Sequence, residues 1–115
     1  MMREVIKSKI DRASITNTDI NYTDSITLDE TLMKALGVLE GEKVSIINIT
    51  NNNRFDADVV KGIRDSGIIG INGNLVYKSK RDDTISILFY HTISERNIST
   101  HKTKIIYVDN KNKIL

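Results

Sequence analysis

Few side chains in this sequence stand at spacings that chemistry requires. His91 and His101 are the only histidines, and they lack the paired spacing of a zinc site, so both read as structural or solvated groups with no metal between them. Lys78-Ser79-Lys80-Arg81 is a basic run without a glycine-rich frame, and it reads as a solvated loop rather than a phosphate cradle. Asn51-Asn52-Asn53 reads as a turn, because asparagine tolerates positive φ and bonds its own backbone. Cysteine is absent, which removes thiol nucleophiles, thiolate metal sites and disulfides. Hydroxyl, amide and ion-pair chemistry remain. None of these groups, Ser25, Lys9, Arg54, Tyr22 and Asn72 among them, stands at a spacing that by itself marks a site. Each has a plain structural reading when taken alone. Ser25 is then a turn or cap hydroxyl, Lys9 and Arg54 are surface charges, Tyr22 is packing, and Asn72 belongs to a turn.

Composition limits the frame that positions these groups. At 115 residues the chain reads as a single domain spanning residues 1–115. It carries 19 Ile, 7 Val and 10 Thr against 7 Leu, a set suited to a pleated surface rather than a helical bundle. Without proline, turns fall to Gly, Asn and Asp. The net charge of +2 comes from 17 basic and 15 acidic side chains that are interspersed, which argues against a nucleic-acid partner. No apolar run is long enough to span a bilayer, and Met1-Met2-Arg3-Glu4 offers no signal core. A cytoplasmic domain is expected.

Periodicity places the elements. Glu4–Arg12 alternates as a strand, with Ile6 and Ile10 expected on one buried face. Ser25–Leu28 is a short strand, after which Asp29 caps a helix through Leu36 that Gly37 ends. Lys43–Thr50, Arg54–Ile63, Gly67–Ile71, Thr84–His91 and Lys104–Asp109 read as strands, and Asn72-Gly73 is the strongest turn dipeptide. Many short strands with one short helix predict a mainly β fold, a small barrel whose closure removes exposed edges.

One stretch carries a specific resemblance. Lys9-x-Asp11-Arg12, Ile15-Thr16, Asp19-Ile20 and Tyr22-x-Asp24-Ser25-Ile26-Thr27-Leu28-Asp29 are similar to the N-terminal signature of aspartate 1-decarboxylases. Val38-Leu39-Glu40, Glu42-Lys43-Val44, Asn48-Ile49-Thr50-Asn51, Arg54-Phe55, Ile68–Ile71 and Asn72-Gly73 continue it without a gap over about residues 1–90. The resemblance implies a double-psi β-barrel and a homotetramer with active sites between subunits. It also implies a pyruvoyl cofactor made from the chain itself. A serine hydroxyl attacks the preceding carbonyl to give an ester, β-elimination splits the chain, and the new N-terminus carries a pyruvoyl group that serves as electron sink for loss of CO2. The matching serine is Ser25. Lys9 and Arg54 match the substrate-carboxylate binders, and Tyr22, Asn72 and Gly73 match pocket residues. The activity implied is conversion of L-aspartate to β-alanine and CO2 for pantothenate biosynthesis.

The departures gather around one reaction. Asp24 stands where the family usually has glycine, which restricts the backbone and adds charge beside the reacting carbonyl. Ala57 replaces the processing threonine and Asp58 the proton-donating tyrosine. Asp11 replaces a signature histidine, and Asn74-Leu75 replace two small residues. A carboxyl at 58 can donate a proton only if its pKa is raised. Two readings follow: a diverged pyruvoyl-dependent decarboxylase, and a non-catalytic or substrate-shifted relative that keeps the barrel and binds a small anion or a protein partner.

Overall fold

β-Branched side chains at alternate positions build eight strands, and the computed structural model describes residues 1–115. In chain order they are β1 (Met2–Ser14), β2 (Asn17–Asp19), β3 (Ser25–Asp29), β4 (Lys43–Asn48), β5 (Arg54–Gly62), β6 (Ile69–Asn72), β7 (Thr84–Ser94) and β8 (Lys104–Tyr107). The helix α1 covers Glu30–Leu36, and single 3₁₀ segments cover Gly73–Tyr77 and Glu95–Thr100. The Asn72-Gly73 turn thus leads into a 3₁₀ segment rather than a two-residue hairpin.

The ladder runs β2-β6-β3-β5-β4-β7-β1-β8. β2 at one end and β1, next to β8 at the other, are parts of one continuous segment, since β1 runs directly into β2 through Ile15 and Thr16. Ile15 N–H donates to Asp83 O at 3.0 Å and Thr16 N–H to Ile69 O at 2.8 Å, so this segment is stitched to both sides of the sheet. The sheet is therefore curled on itself in a barrel-like form around one core. That core holds Ile10, Ile26, Leu28, Val44, Ile46, Val59, Ile69, Ile71, Ile85 and Ile87.

Ile6 does not join them; it is half-buried. Its partner is Tyr90 while Ser8 faces Phe89, so an extra residue enters β1 at Lys7. A bulge of this kind moves every earlier side chain to the opposite face. Ser8 and Ile10 point inward as a result, and Ile6 points out.

Polar side chains fix the loops. The Asp29 carboxylate caps α1 by accepting Thr31 N–H and also accepts the N–H groups of Asp65 and Gly67, each at 2.8 Å. Gly37 ends the helix in the left-handed region at φ +77°. Buried Asn48 donates to Ser79 Oγ at 2.9 Å and Asp83 Oδ2 at 2.8 Å, while Asn51 and Asn53 donate to Lys78 O. The asparagine turn and the basic run are thus two halves of one loop scaffold. Asn112 similarly donates to Ser14 O and Gly67 O, tying the C-terminal tail to β1.

Candidate active site

Strand register creates a polar niche around Ser25. On β3, Ser25 pairs with Asn72 of antiparallel β6 on one side and with Asp58 of parallel β5 on the other. Ile26 and Leu28 point into the core, so Ser25 and Thr27 take the outward face by the period of two. Ser25 is nevertheless only 2% exposed. Its Oγ donates to Thr23 O at 2.9 Å and accepts from Asn72 Nδ2 at 3.0 Å. The same Asn72 nitrogen donates to Thr27 Oγ1 at 2.9 Å.

The residue before the serine is held by the following turn. Asp24 Oδ1 accepts the backbone N–H of Asn74 at 2.8 Å, which turns its carboxylate onto the start of the 3₁₀ segment. Gly73 is indispensable to that packing. Its φ is +68°, and a Cβ there would collide with Asp24 Oδ1 and lie 2.7 Å from Asp24 N.

The cations lie elsewhere on the outward surface. Phe55, Ala57 and Val59 are buried, so Arg54, Asp56 and Asp58 alternate outward along β5. Arg54 is exposed and lines an open groove of about 370 Å³ with Ser45, Ile47, Asp56 and Tyr90, where Ser45 Oγ donates to Asp56 Oδ1 at 2.8 Å. Four residues of strand place Arg54 about 13 Å from Asp58, and hence from the Ser25 niche. Lys9 is half-buried on β1 opposite Leu88, in a cross-strand row that continues through Ser45 to Asp56. Three strand spacings, about 14 Å, separate it from β5. Asp11 accepts Ser86 Oγ at 3.2 Å, and Tyr22 is 50% exposed in the bend after β2.

A single chain thus joins Ser25 and Asn72 by a hydrogen bond, with Gly73 packed on Asp24 beside them and Asp58 next to Ser25 by strand register. It leaves Lys9 and Arg54 on an adjoining part of the same outer surface, with Tyr22 apart in its bend. Ala57 packs its methyl into the core and offers no hydrogen-bond donor from its side chain. Thr27 and Thr23 O were not singled out by sequence reading, although Thr27 sits two residues from Ser25 on the same strand face. The histidines form a separate pair, with ring centroids 5.7 Å apart. His101 Nε2 lies 3.0 Å from Ile6 O, and His91 Nε2 is buried without a partner. Burial, then Lys7 and His101, hold the His91 pKa below its usual value and favour the neutral ring.

Comparison with known proteins shows the family of the whole chain. The family model described as aspartate decarboxylase matches residues 1–115, the whole chain. The chain belongs to the aspartate decarboxylase family. A relative from Caldicellulosiruptor saccharolyticus named aspartate 1-decarboxylase is 45% identical over 115 residues, covering 100% of this chain and 90% of the relative. Relatives of the same name from Clostridium botulinum and Neisseria meningitidis are 42% and 39% identical over 114 residues, covering 99% of this chain and 92% and 90% of their own. The aspartate decarboxylase match includes both the Ser25 niche and the Lys9–Arg54 surface. No helix of the chain is long and apolar enough to cross a membrane.

Proposed function

We propose that this member of the family is a pyruvoyl-dependent aspartate 1-decarboxylase, forming β-alanine and CO2 from L-aspartate, with Ser25 as the source of its prosthetic group. The observation that carries the reading is the buried Ser25 Oγ, held between Thr23 O and Asn72 Nδ2 at the start of β3. In self-processing, Oγ bonds to the Asp24 carbonyl carbon, the Asp24–Ser25 C–N bond breaks, and the hydroxyl proton ends on the departing nitrogen. Elimination removes the Ser25 Cα proton and breaks the Cβ–O bond, releasing Asp24 as a carboxylate. The dehydroalanine left behind tautomerises and takes up water, and loss of ammonia leaves the ketone. The residues present fit the group as far as the nucleophile and its orienting donor; the side-chain donor at position 57 is missing.

A pyruvoyl group at position 25 would supply a carbonyl able to serve as electron sink for the loss of CO2. Lys9 and Arg54 bind the substrate carboxylates, Asn72 and Gly73 shape the niche, and Tyr22, apart from it within one chain, joins the pocket on subunit assembly. Asp58, in register with Ser25, occupies the place from which a proton returns. The separation of about 13 Å between Arg54 and the niche along one chain supports completion of each site by a neighbouring subunit in a homotetramer. A cytoplasmic setting and the supply of β-alanine for pantothenate follow from the same reading.

Intact mass of the purified chain tests it, with β-alanine formation as the second measurement. A mainly intact chain is expected, with two slowly formed fragments, the larger bearing a pyruvoyl terminus, and β-alanine from aspartate in proportion to them. The second reading, a non-catalytic or substrate-shifted relative, is favoured by the core-packed methyl of Ala57. A chain that makes no β-alanine and stays intact even with Asp24→Gly and Ala57→Thr establishes that reading instead.

A further inference from the structure

The Ser25 niche contains one contact to which the reading above gives no task. Asn72 is 4% exposed and uses both hydrogens of its amide nitrogen, one on Ser25 Oγ and one on Thr27 Oγ1. The reverse orientation would set Asn72 Oδ1 against both hydroxyls, yet Ser25 already gives its proton to Thr23 O. Opposite Thr27 on β6 stands Gly70, which has no side chain to hold the amide in place. The Thr27 hydroxyl is therefore the group that fixes the rotation of the Asn72 amide.

That orientation has a consequence for Ser25. A hydroxyl oxygen has four tetrahedral directions. Here one is the bond to Cβ, one the proton on Thr23 O, and one the lone pair that accepts from Asn72. A single lone pair remains, and its direction is set by the other three. We propose that Thr27 is a positioning residue for self-processing: by accepting one Asn72 N–H it aims the other at Ser25 Oγ and so fixes the lone pair that must reach the Asp24 carbonyl carbon. This inference rests on the self-processing proposed above. Thr27 does not touch the reacting atoms; it acts through Asn72.

Two substitutions separate the hydroxyl from the side chain's shape. Thr27→Val keeps the branched outline and removes the acceptor, whereas Thr27→Ser keeps the acceptor. Fragment appearance is followed by intact mass, and solvent exchange of the Asn72 side-chain amide protons by NMR. Thr27→Val should slow cleavage about three- to tenfold, the rate equivalent of one ordinary hydrogen bond, and Thr27→Ser should restore it. The Asn72 amide should exchange faster in Thr27→Val alone. If the parent does not cleave, the same pair is compared in an Asp24→Gly, Ala57→Thr background. Failure of that background to cleave overturns the self-processing reading, and with it the role given to Thr27 there. The exchange measurement still decides whether Thr27 orients Asn72. Cleavage of Thr27→Val at the parent rate, or unchanged exchange at Asn72, overturns the assignment.

Discussion

Replacing Asp29 removes the polar hub that joins α1 to the loop before β6. Its carboxylate is 2% exposed and receives the N–H groups of Thr31, Asp65 and Gly67. In Asp29→Ala, loss of the helix cap costs about 1 kcal/mol. Gly67 N–H is buried, and leaving it without an acceptor costs about 1–3 kcal/mol. Asp65 is exposed, so water takes over there and about 0.5 kcal/mol is lost. The sum is about 3.5 kcal/mol, or a fall in Tm of roughly 14 °C at about 4 °C per kcal/mol. Asp29→Asn keeps the Oδ1 acceptor but turns an NH2 group towards Gly67 N–H, so it should fall between parent and alanine variant. Burial pushes the Asp29 pKa up, but the bonds from Gly67, Thr31 and Asp65 and the charge of Lys113 outweigh it and hold it below the usual value. A carboxyl depressed in the folded state stabilises above its unfolded pKa, near 3.9, and that contribution fades as pH falls through the lower folded value. The gap between parent and Asp29→Ala should therefore be full at pH 7 and narrow below about pH 4. Urea unfolding at fixed protein concentration measures it. A difference under about 0.5 kcal/mol at neutral pH, or a gap that widens in acid, would refute the reasoning.

Asp24→Gly with Ala57→Thr should raise the cleaved fraction seen by mass. Loss of one oxyanion donor typically costs 100- to 1,000-fold, so restoring it has that much room to act, on the order of the same factor. Asp58→Tyr should raise β-alanine formation only in protein already cleaved, as read from activity normalised to the pyruvoyl-bearing fragment. Gly73→Ala should lose at least about 1–2 kcal/mol in urea unfolding through its left-handed backbone, and more through the collision with Asp24. Lys7→Gln should raise the His91 pKa in an NMR titration, because it removes a cation that disfavours the charged ring.

Strands announced themselves in the sequence wherever inward and outward residues alternate regularly. Val44 and Ile46 on β4, and Ile85 and Ile87 on β7, were legible as core for that reason. The helix was legible from Asp29 and Gly37, which satisfy its end groups by local chemistry. Ile6 was misplaced because a bulge leaves no trace in hydropathy; it is set by the partner strand. At the site, Ser25, Asn72 and Asp58 could be tied together only through the family register, since they are far apart in sequence and meet by strand pairing. Thr27 was missed because a threonine in a strand has an adequate explanation as a β-former. The tie between Asp24 and Asn74 depends on a backbone N–H, a donor that every residue but proline carries.

The continuous segment that stitches the two sides of the sheet together ends a few residues before the Asp24–Ser25 bond, where self-processing is proposed. A cut between Asp24 and Ser25 turns residues 1–24 into a separate polypeptide carrying all of β1 and β2. That peptide stays in place through its pairing with β7, β8 and β6, through ties such as Ser14 to Asn112 and Asp24 to Asn74, and through burial of Ile10, Ala13 and Ile15. Before the cut, refolding is a reaction of one chain with itself. Afterwards it is an association of two molecules, which steepens the concentration dependence that the proposed subunit assembly already gives the midpoint of denaturation. The matured protein would then be a complex that its own sequence can rebuild only by recapturing a strand it has released, and dilution after unfolding would separate the mature form from the precursor.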